Sequence, residues 1–226
     1  MTKNLCIIPA RGGSKRIPRK NIKEFLGKPI IAYSINAAIE SRLFNEIMVS
    51  TDDEETARIA RQHGAKIPFM RSEKTADDFA TLADVVDEVK QQYDKINKSF
   101  DVICLILPTA PLIQVSQIIK AYEQLSSNDI DSVRPILRYS YPIQRAVKKN
   151  DEELLEMFYP QYREARSQDL EPAYHDAGQF YWMRYGSGLR GKKKAGLELS
   201  EFEVQDIDTL EDWRIAELKY KLLFGN

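Results

Sequence analysis

Apolar and polar positions along the first half of the chain fall into blocks of alternating period. Short β-rich runs at residues 5–9, 46–51, 65–70 and 101–107 read as strands, the last of them a buried central strand because its apolar positions are nearly continuous. Helical patterns lie between them. Pro29 opens one that continues through Ile30, Tyr33, Ala37 and Ala38, and Thr51-Asp52-Asp53-Glu54 resembles the capping start of the next. The clearest starts at Thr81, where Leu82, Val85, Val86, Val89 and Tyr93 recur at helical spacing on one face. Its opposite face is charged, so this helix covers a sheet. Strands that alternate with helices in this way predict an α/β fold with a mainly parallel central sheet flanked by helices.

The pattern breaks after Val133. Residues 134–174 carry four prolines and the aromatic residues Tyr139, Tyr141, Phe158, Tyr159 and Tyr162, with no strand-helix-strand period. We expect an α/β domain built from residues 1–133 and 178–226, interrupted by an excursion at 134–177. Strand-like patterns resume at 178–184 and 202–207, and a final helix places Leu210, Trp213, Tyr220 and Leu223 on one side. Between them, residues 186–196 with Lys192-Lys193-Lys194 read as a basic surface loop.

Composition narrows the class. The chain has 226 residues, 43% hydrophobic and 30% charged, enough for a full core. Its 33 basic residues against 34 acidic ones leave a net charge of −1, which argues against a nucleic-acid partner. Cys6 and Cys104 sit inside apolar runs and read as small buried hydrophobes, outside any metal or disulfide pattern. No apolar run approaches membrane-spanning length and the N-terminus lacks an extended apolar region, so a cytoplasmic protein with no membrane partner is expected.

The first candidate for chemistry follows the first strand: Pro9-Ala10-Arg11-Gly12-Gly13-Ser14-Lys15-Arg16-Ile17-Pro18-Arg19-Lys20-Asn21. Six basic residues and no acidic one lie between Arg11 and Lys23, in a chain of almost zero net charge. In parallel α/β sheets the loop at the carboxyl end of a strand is the usual ligand position. Adjacent glycines let backbone N–H groups approach phosphate oxygens, and Arg and Lys supply the opposing charge. Neither the P-loop spacing nor the dinucleotide fingerprint is present.

The second candidate is Gln205-Asp206-Ile207-Asp208-Thr209, ahead of the last helix. In an extended strand, positions i and i+2 face the same side, so Asp206 and Asp208 can present their carboxylates together as a hard-oxygen site for Mg²⁺. Asp208 read alone is equally an N-cap for the helix near Leu210. A phosphate loop in the same chain tips the balance toward a metal that bridges phosphates, and the two motifs together point to chemistry on a nucleoside triphosphate.

The run Ile8-Pro9-Ala10-Arg11-Gly12-Gly13-Ser14-Lys15 with Lys20-Asn21 resembles the signature of the CMP-sialic acid synthetase family, cytidylyltransferases that activate acidic nine-carbon (nonulosonic) sugars. The resemblance continues in order through Val49-Ser50-Thr51-Asp52, Arg71 with Asp78, Pro108-Thr109-Ala110-Pro111-Leu112 and Asp206-Ile207-Asp208. The segments Tyr139-Ser140-Tyr141-Pro142-Ile143-Gln144-Arg145-Ala146, Arg166-Ser167-Gln168-Asp169-Leu170 and the run from Ala173 to Trp182 resemble its pseudaminic acid branch. Sialic acid members typically carry Gln at the place of Leu107 and Asn-Gly at the place of Ala177-Gly178.

The resemblance implies a Rossmann-like nucleotide-diphospho-sugar transferase fold with a dimerisation excursion, and transfer of CMP from CTP to the anomeric hydroxyl of the sugar with release of pyrophosphate. Arg11, Lys15, Lys20 and Asp208 are then the catalytic candidates. Ala10, Arg11, Gly12, Gly13, Ser14, Asn21, Arg71 and Thr81 bind the nucleotide, and Asp206 and Asp208 hold Mg²⁺. On the sugar, Gln144, Gln168, Gln179, His175 and Asp176 supply hydrogen bonds, and Arg145 or Arg166 receives the carboxylate. The resemblance also implies a homodimer in which the excursion reaches toward the partner's site. CMP-sialic or CMP-legionaminic acid synthesis remains an alternative within the family. Two further alternatives lie outside it. A metal-dependent glycosyltransferase would release a nucleoside phosphate in place of pyrophosphate, and a non-catalytic nucleotide-binding module would have little use for the aspartate pair.

Overall fold

The computed structural model describes residues 2–127 and 129–225. Its strands are β1 (Asn4–Pro9), β2 (Glu24–Phe25), β3 (Lys28–Pro29), β4 (Glu46–Ser50), β5 (Val102–Ile106), β6 (Ser132–Arg138), β7 (Val147–Lys149), β8 (Leu155–Met157), β9 (Tyr174–Asp176), β10 (Phe180–Arg184) and β11 (Lys194–Glu198). The helices are α1 (Ile30–Ser41), α2 (Glu54–Gln62), α3 (Glu73–Ala76), α4 (Leu82–Lys95), α5 (Val115–Ser127) and α6 (Leu210–Phe224).

A central sheet runs in the order β11-β6-β10-β5-β1-β4, with β9 paired to β6. Leu5 and Ile7 of β1 face one side with Ile103 and Leu105 of β5, where Val86, Val89 and Tyr93 of α4 cover them. Cys6, Ile8, Cys104 and Ile106 face the other side under Ile31 and Ile35 of α1 and Ile118, Ala121 and Leu125 of α5. Period-2 strands and period-3.6 helices thus bury both faces, as parallel neighbours require. Burial pushes the thiols of Cys6 and Cys104 well above their ordinary range, so both stay protonated packing groups.

The sheet is mixed where the sequence predicts a mainly parallel one. Strands β1, β4 and β5 pair in parallel, as do β6 and β11, but β10 runs antiparallel to both β5 and β6. The cause is the path of the chain. After β6 the chain leaves the sheet at its carboxyl edge and returns there through β9, so β10 has to start at that edge and run the opposite way. Strand β6 also continues to Arg138, so the segment outside the sheet is 139–173, shorter than the predicted excursion.

Three other expectations change. The strand at 65–70 reduces to one bridge between Lys66 and Met48, since Pro68 has no N–H with which to extend a ladder. The strand at 202–207 is replaced by a tight turn at Glu201–Glu203, where Ser200 and Glu203 form a capping box that satisfies the backbone locally. The basic loop at 186–196 ends early, because Lys194 begins β11; there a side chain at Gly196 would meet Ile136 at 2.4 Å. On α6, Trp213 and Ala216 are buried, whereas Leu210 is exposed. These inward residues join Ile17, Phe25, Ile30 and Ile207 in a small separate core. That core clamps the loop after β1 against the segment that carries the two aspartates; burying an isoleucine there is worth about 1.5–3 kcal/mol.

Candidate active site

The candidate groups of the loop after β1 lie at the carboxyl edge of the sheet, where β1, β4, β5, β6 and β11 end and β10 begins. The loop after β1 is held in shape before any ligand arrives. Gly12 donates its N–H to Asp52 Oδ1 at 2.9 Å, and a Cβ there would lie 2.9 Å from that of Asp53, so only glycine fits against the turn after β4. Asn21 is buried and its Nδ2 donates to the Arg11 carbonyl at 2.9 Å. It therefore braces the loop. Ala10 is buried and its N–H goes to the Ser50 carbonyl at 2.9 Å, so that N–H is not available to a base. A Cβ added at Gly13 would meet nothing within 4 Å, so the space beside this residue is open.

This loop lines a cavity of about 410 Å³ through Arg11, Ser14, Lys15, Arg16, Lys20 and Asn21, with Asp78, Pro108 and Thr109 opposite. A smaller cavity of about 220 Å³ shares Pro9, Arg11 and Asp78 with it and extends to Arg71, Ala80, Thr81 and Leu82. Thr81 is the N-cap of α4, in a capping box with Asp84. The Arg71 guanidinium donates to Ser50 Oγ at 3.0 Å and to the Ser50 carbonyl at 2.7 Å. Burial pulls its pKa down to about 10, which still leaves it charged at neutral pH. Arg11, Ser14, Lys15, Lys20, Asn21, Arg71 and Thr81, expected from the sequence, therefore line these two adjoining cavities, together with Arg16, which was not among them.

Each cation of the larger cavity has an acidic partner. Arg11 reaches Asp78 Oδ1 at 2.9 Å and Lys15 pairs with the other oxygen of the same carboxylate. Hydrogen bonds from Lys15 and Arg11 hold the Asp78 carboxyl below its usual range. Arg16 meets Asp208 Oδ2 at 2.7 Å; Lys20 lies 3.5 Å from Asp208 Oδ1 and donates to the Ile207 carbonyl at 2.6 Å. Thr209, together with Asp212, caps α6, so the N-cap alternative for Asp208 is excluded. Asp206 and Asp208 lie on irregular chain and not on the expected strand, yet they remain close enough to interact. Burial and then the charge of Asp208 raise the pKa of Asp206 above the ordinary carboxylate value.

Asp206 lines a further cavity of about 470 Å³, with Arg138, Tyr139, Ser140, His175, Asp176, Glu201, Gln205 and Lys219 among its walls. A neighbouring cavity of about 470 Å³ shares Arg138, Tyr139, Ser140 and Glu201 and adds Gln168. The aspartate pair thus stands between the basic loop and these cavities: Asp208 is bonded to the loop and Asp206 lines the first of the cavities. Of the residues assigned to the sugar, His175, Asp176 and Gln168 line this side. Asp176 is already engaged by Arg134 at 3.0 Å and by the Tyr181 hydroxyl at 3.0 Å. Gln144, Arg145, Arg166 and Gln179 line neither of the two cavities. Gln179 is buried under the turn and donates to the Glu203 carbonyl at 2.6 Å, and Gln144 donates to the Glu171 carbonyl at 2.9 Å. Arg166 is held by Asp169 at 2.7 Å, and Arg145 lies 3.4 Å from Ser167 Oγ. Arg138 and Lys219, absent from the sequence-based set, line the cavity in their place.

Asp206 and Asp208 offer carboxylate oxygens, the donors a hard cation takes, but no group of three or more acidic, histidine or cysteine side chains that could hold a metal occurs among the described residues. No described helix is long and apolar enough to cross a membrane.

Comparison with known proteins agrees with this architecture. The profile of the Cytidylyltransferase family matches residues 5–185. A pseudaminic acid cytidylyltransferase of Campylobacter jejuni (serotype O:23/36, strain 81-176) is 42% identical, covering 97% of both chains. The N-acylneuraminate cytidylyltransferase A of Danio rerio is 34% identical over 97% of this chain and 51% of its own length. The solved structure of CMP:2-keto-3-deoxy-manno-octonic acid synthetase complexed with CTP superposes with a TM-score of 0.68 at 16% identity, over 96% of this chain and 98% of that one, a likeness of fold. With a basic loop after its first strand, an aspartate pair beside it and these relatives along nearly its whole length, the chain belongs to the cytidylyltransferase family.

Proposed function

We propose that the chain transfers the cytidylyl group of CTP to the anomeric hydroxyl of a nonulosonic acid, pseudaminic acid, and releases pyrophosphate. The observation that carries this reading is the position of the aspartate pair: Asp208 is bonded to Arg16 and Lys20 of the basic loop, and Asp206 lines the cavity that also holds His175. The substrate assignment is supported by the full-length similarity to the Campylobacter jejuni relative.

Arg11, Lys15, Arg16 and Lys20 receive the phosphates, exchanging their present acidic partners for phosphate oxygens. Arg71, Thr81 and the backbone around them line the smaller cavity, into which the nucleoside end extends. The hydroxyl oxygen of the sugar forms a new bond to the α-phosphorus, the bridging oxygen between α and β phosphorus leaves with pyrophosphate, and the hydroxyl proton is released. Asp206 and Asp208 hold Mg²⁺, whose contribution when bound is to offset negative charge on the α-phosphate and the departing pyrophosphate. The chain's own part is positioning: the core of Ile17, Ile207 and Trp213 fixes loop and aspartates relative to each other.

We also read the 139–173 arm as a dimerisation element that contributes to sugar choice. Tyr141, Leu154, Leu155 and Phe158 are more than half exposed on it, the residue types that cores of subunit interfaces use. Light scattering is expected to give twice the monomer mass, and Leu155→Asp with Phe158→Asp to lower it to one; a monomeric, fully active parent enzyme would refute this. The reaction itself is tested by following pyrophosphate with CTP, Mg²⁺ and a panel of nonulosonic acids. Pseudaminic acid is expected to be used in preference to sialic acid, and release of CDP in place of pyrophosphate would mean transfer of the γ-phosphoryl group and would contradict this reading.

A further inference from the structure

The acid substrate brings a carboxylate into a cavity whose walls already carry Asp176, Glu201 and Asp206. Unless a cation offsets them, these groups repel it. Within one chain the cations suggested by the sequence stay outside this cavity: Arg166 pairs with Asp169, Arg145 lies against Ser167, and neither lines the two cavities. Arg134 nearby is committed to Asp176 at 3.0 Å. Lys219 reaches the cavity, but its ammonium already donates to the carbonyls of Glu201 at 2.8 Å and Val204 at 2.7 Å. Arg138 differs from all of these. It is the last residue of β6, it lines both sugar-side cavities, and among the described residues its guanidinium has no ion pair and no hydrogen bond.

From this we infer that Arg138 receives the substrate carboxylate, with Lys219 as the second positive charge of the subsite. This assignment rests on the reading of the cavity as the acidic-sugar site. A guanidinium presents a planar fork that matches a carboxylate in a bidentate pair, and a strand end holds it more firmly than a loop does. In a nonulosonic acid the carboxyl carbon is bonded directly to the anomeric carbon. Anchoring the carboxylate on Arg138 therefore keeps the anomeric hydroxyl in the same cavity as Asp206. The arrangement also separates duties: Arg138 reads the acid, and the loop after β1 reads the triphosphate.

The test compares wild type, Arg138→Gln and Arg138→Lys with pseudaminic acid and with its methyl ester, whose carboxyl is uncharged. Arg138→Gln is expected to raise the KM for the acid by about tenfold to a hundredfold while the KM for CTP moves less than about twofold. Wild type is expected to prefer the acid over the ester by a similar factor, Arg138→Gln to lose that preference, and Arg138→Lys to recover part of it. An unchanged KM for the acid in Arg138→Gln, an equal loss with acid and ester, or transfer of the effect to Arg145→Gln or Arg166→Gln would overturn the assignment alone. Failure of wild type to use any nonulosonic acid with CTP would overturn the functional reading and this assignment together.

Discussion

On the nucleotide side of the site, Arg11 and Lys15 share Asp78, and Arg16 and Lys20 share Asp208. On the side proposed for the sugar, Arg138 has no acidic partner among the described residues and Lys219 rests on backbone carbonyls. The first arrangement suits a ligand of high charge. Four clustered cations without counter-ions would repel one another, and internal carboxylates offset that repulsion; in the proposed reaction phosphates would take their place. The second suits a ligand with a single negative charge, for which one open guanidinium is enough. The aspartate pair belongs to both regions, since Asp208 is a counter-ion of the loop and Asp206 a wall of the sugar cavity.

Removing the shared element should have the largest effect. Asp208→Asn keeps the size of the side chain but takes away metal-binding charge and the partner of Arg16 and Lys20, so turnover is expected to fall by about a hundredfold or more. Helix α6 should survive, because Thr209 and Asp212 cap it, and an unchanged circular dichroism spectrum would confirm that the loss is chemical. Activity within about twofold of wild type would return Asp208 to a purely structural role.

A smaller effect is expected when the nucleotide side alone is weakened. Arg11→Ala and Lys15→Ala should each raise the KM for CTP by about tenfold, with little loss of thermal stability, since Lys15 is largely exposed, Arg11 partly so, and their pairs with Asp78 contribute about 0–1 kcal/mol. Unchanged CTP kinetics would reduce the loop to a solvated surface.

The smallest effect has the opposite sign. If Asp78 is a counter-ion that CTP displaces, Asp78→Asn removes a competitor, and calorimetry is expected to show CTP binding about twofold to fivefold tighter, from the loss of exposed ion pairs. Cytidine, which lacks phosphates, should bind as before. Weaker CTP binding in this variant would mean that Asp78 orders the loop and does not compete with the nucleotide.

The same contrast explains what could be read from the sequence. The nucleotide loop is one continuous stretch from Arg11 to Asn21, so its charge density and its position after a strand are visible in a single window. Asp206 and Asp208 were legible as a pair, although their proximity is imposed by the packing of Ile207 and Trp213 and not by strand alternation. The sugar side is assembled from the end of β6, from β9, from the turn near Glu201 and from α6, segments far apart in the chain. Lys219 reads in sequence as an ordinary helix charge, and Arg138 as the first part of an irregular excursion. Arg145 and Arg166 stood out by residue type, but Ser167 and Asp169 occupy them locally. The antiparallel β10 was hidden for a related reason, because strand direction depends on where the excursion re-enters and not on the strand's own apolar pattern.

The central claim is that the aspartate pair joins a triphosphate loop to an acidic-sugar cavity in one reaction. The most direct measurement is a purified-enzyme incubation with CTP, Mg²⁺ and pseudaminic acid in which pyrophosphate and the CMP-sugar are quantified together. The account predicts equimolar appearance of both products, dependent on all three components and lost in Asp208→Asn. Pyrophosphate formed without the sugar acid, or a CMP-sugar formed at wild-type rate by Asp208→Asn, would contradict it.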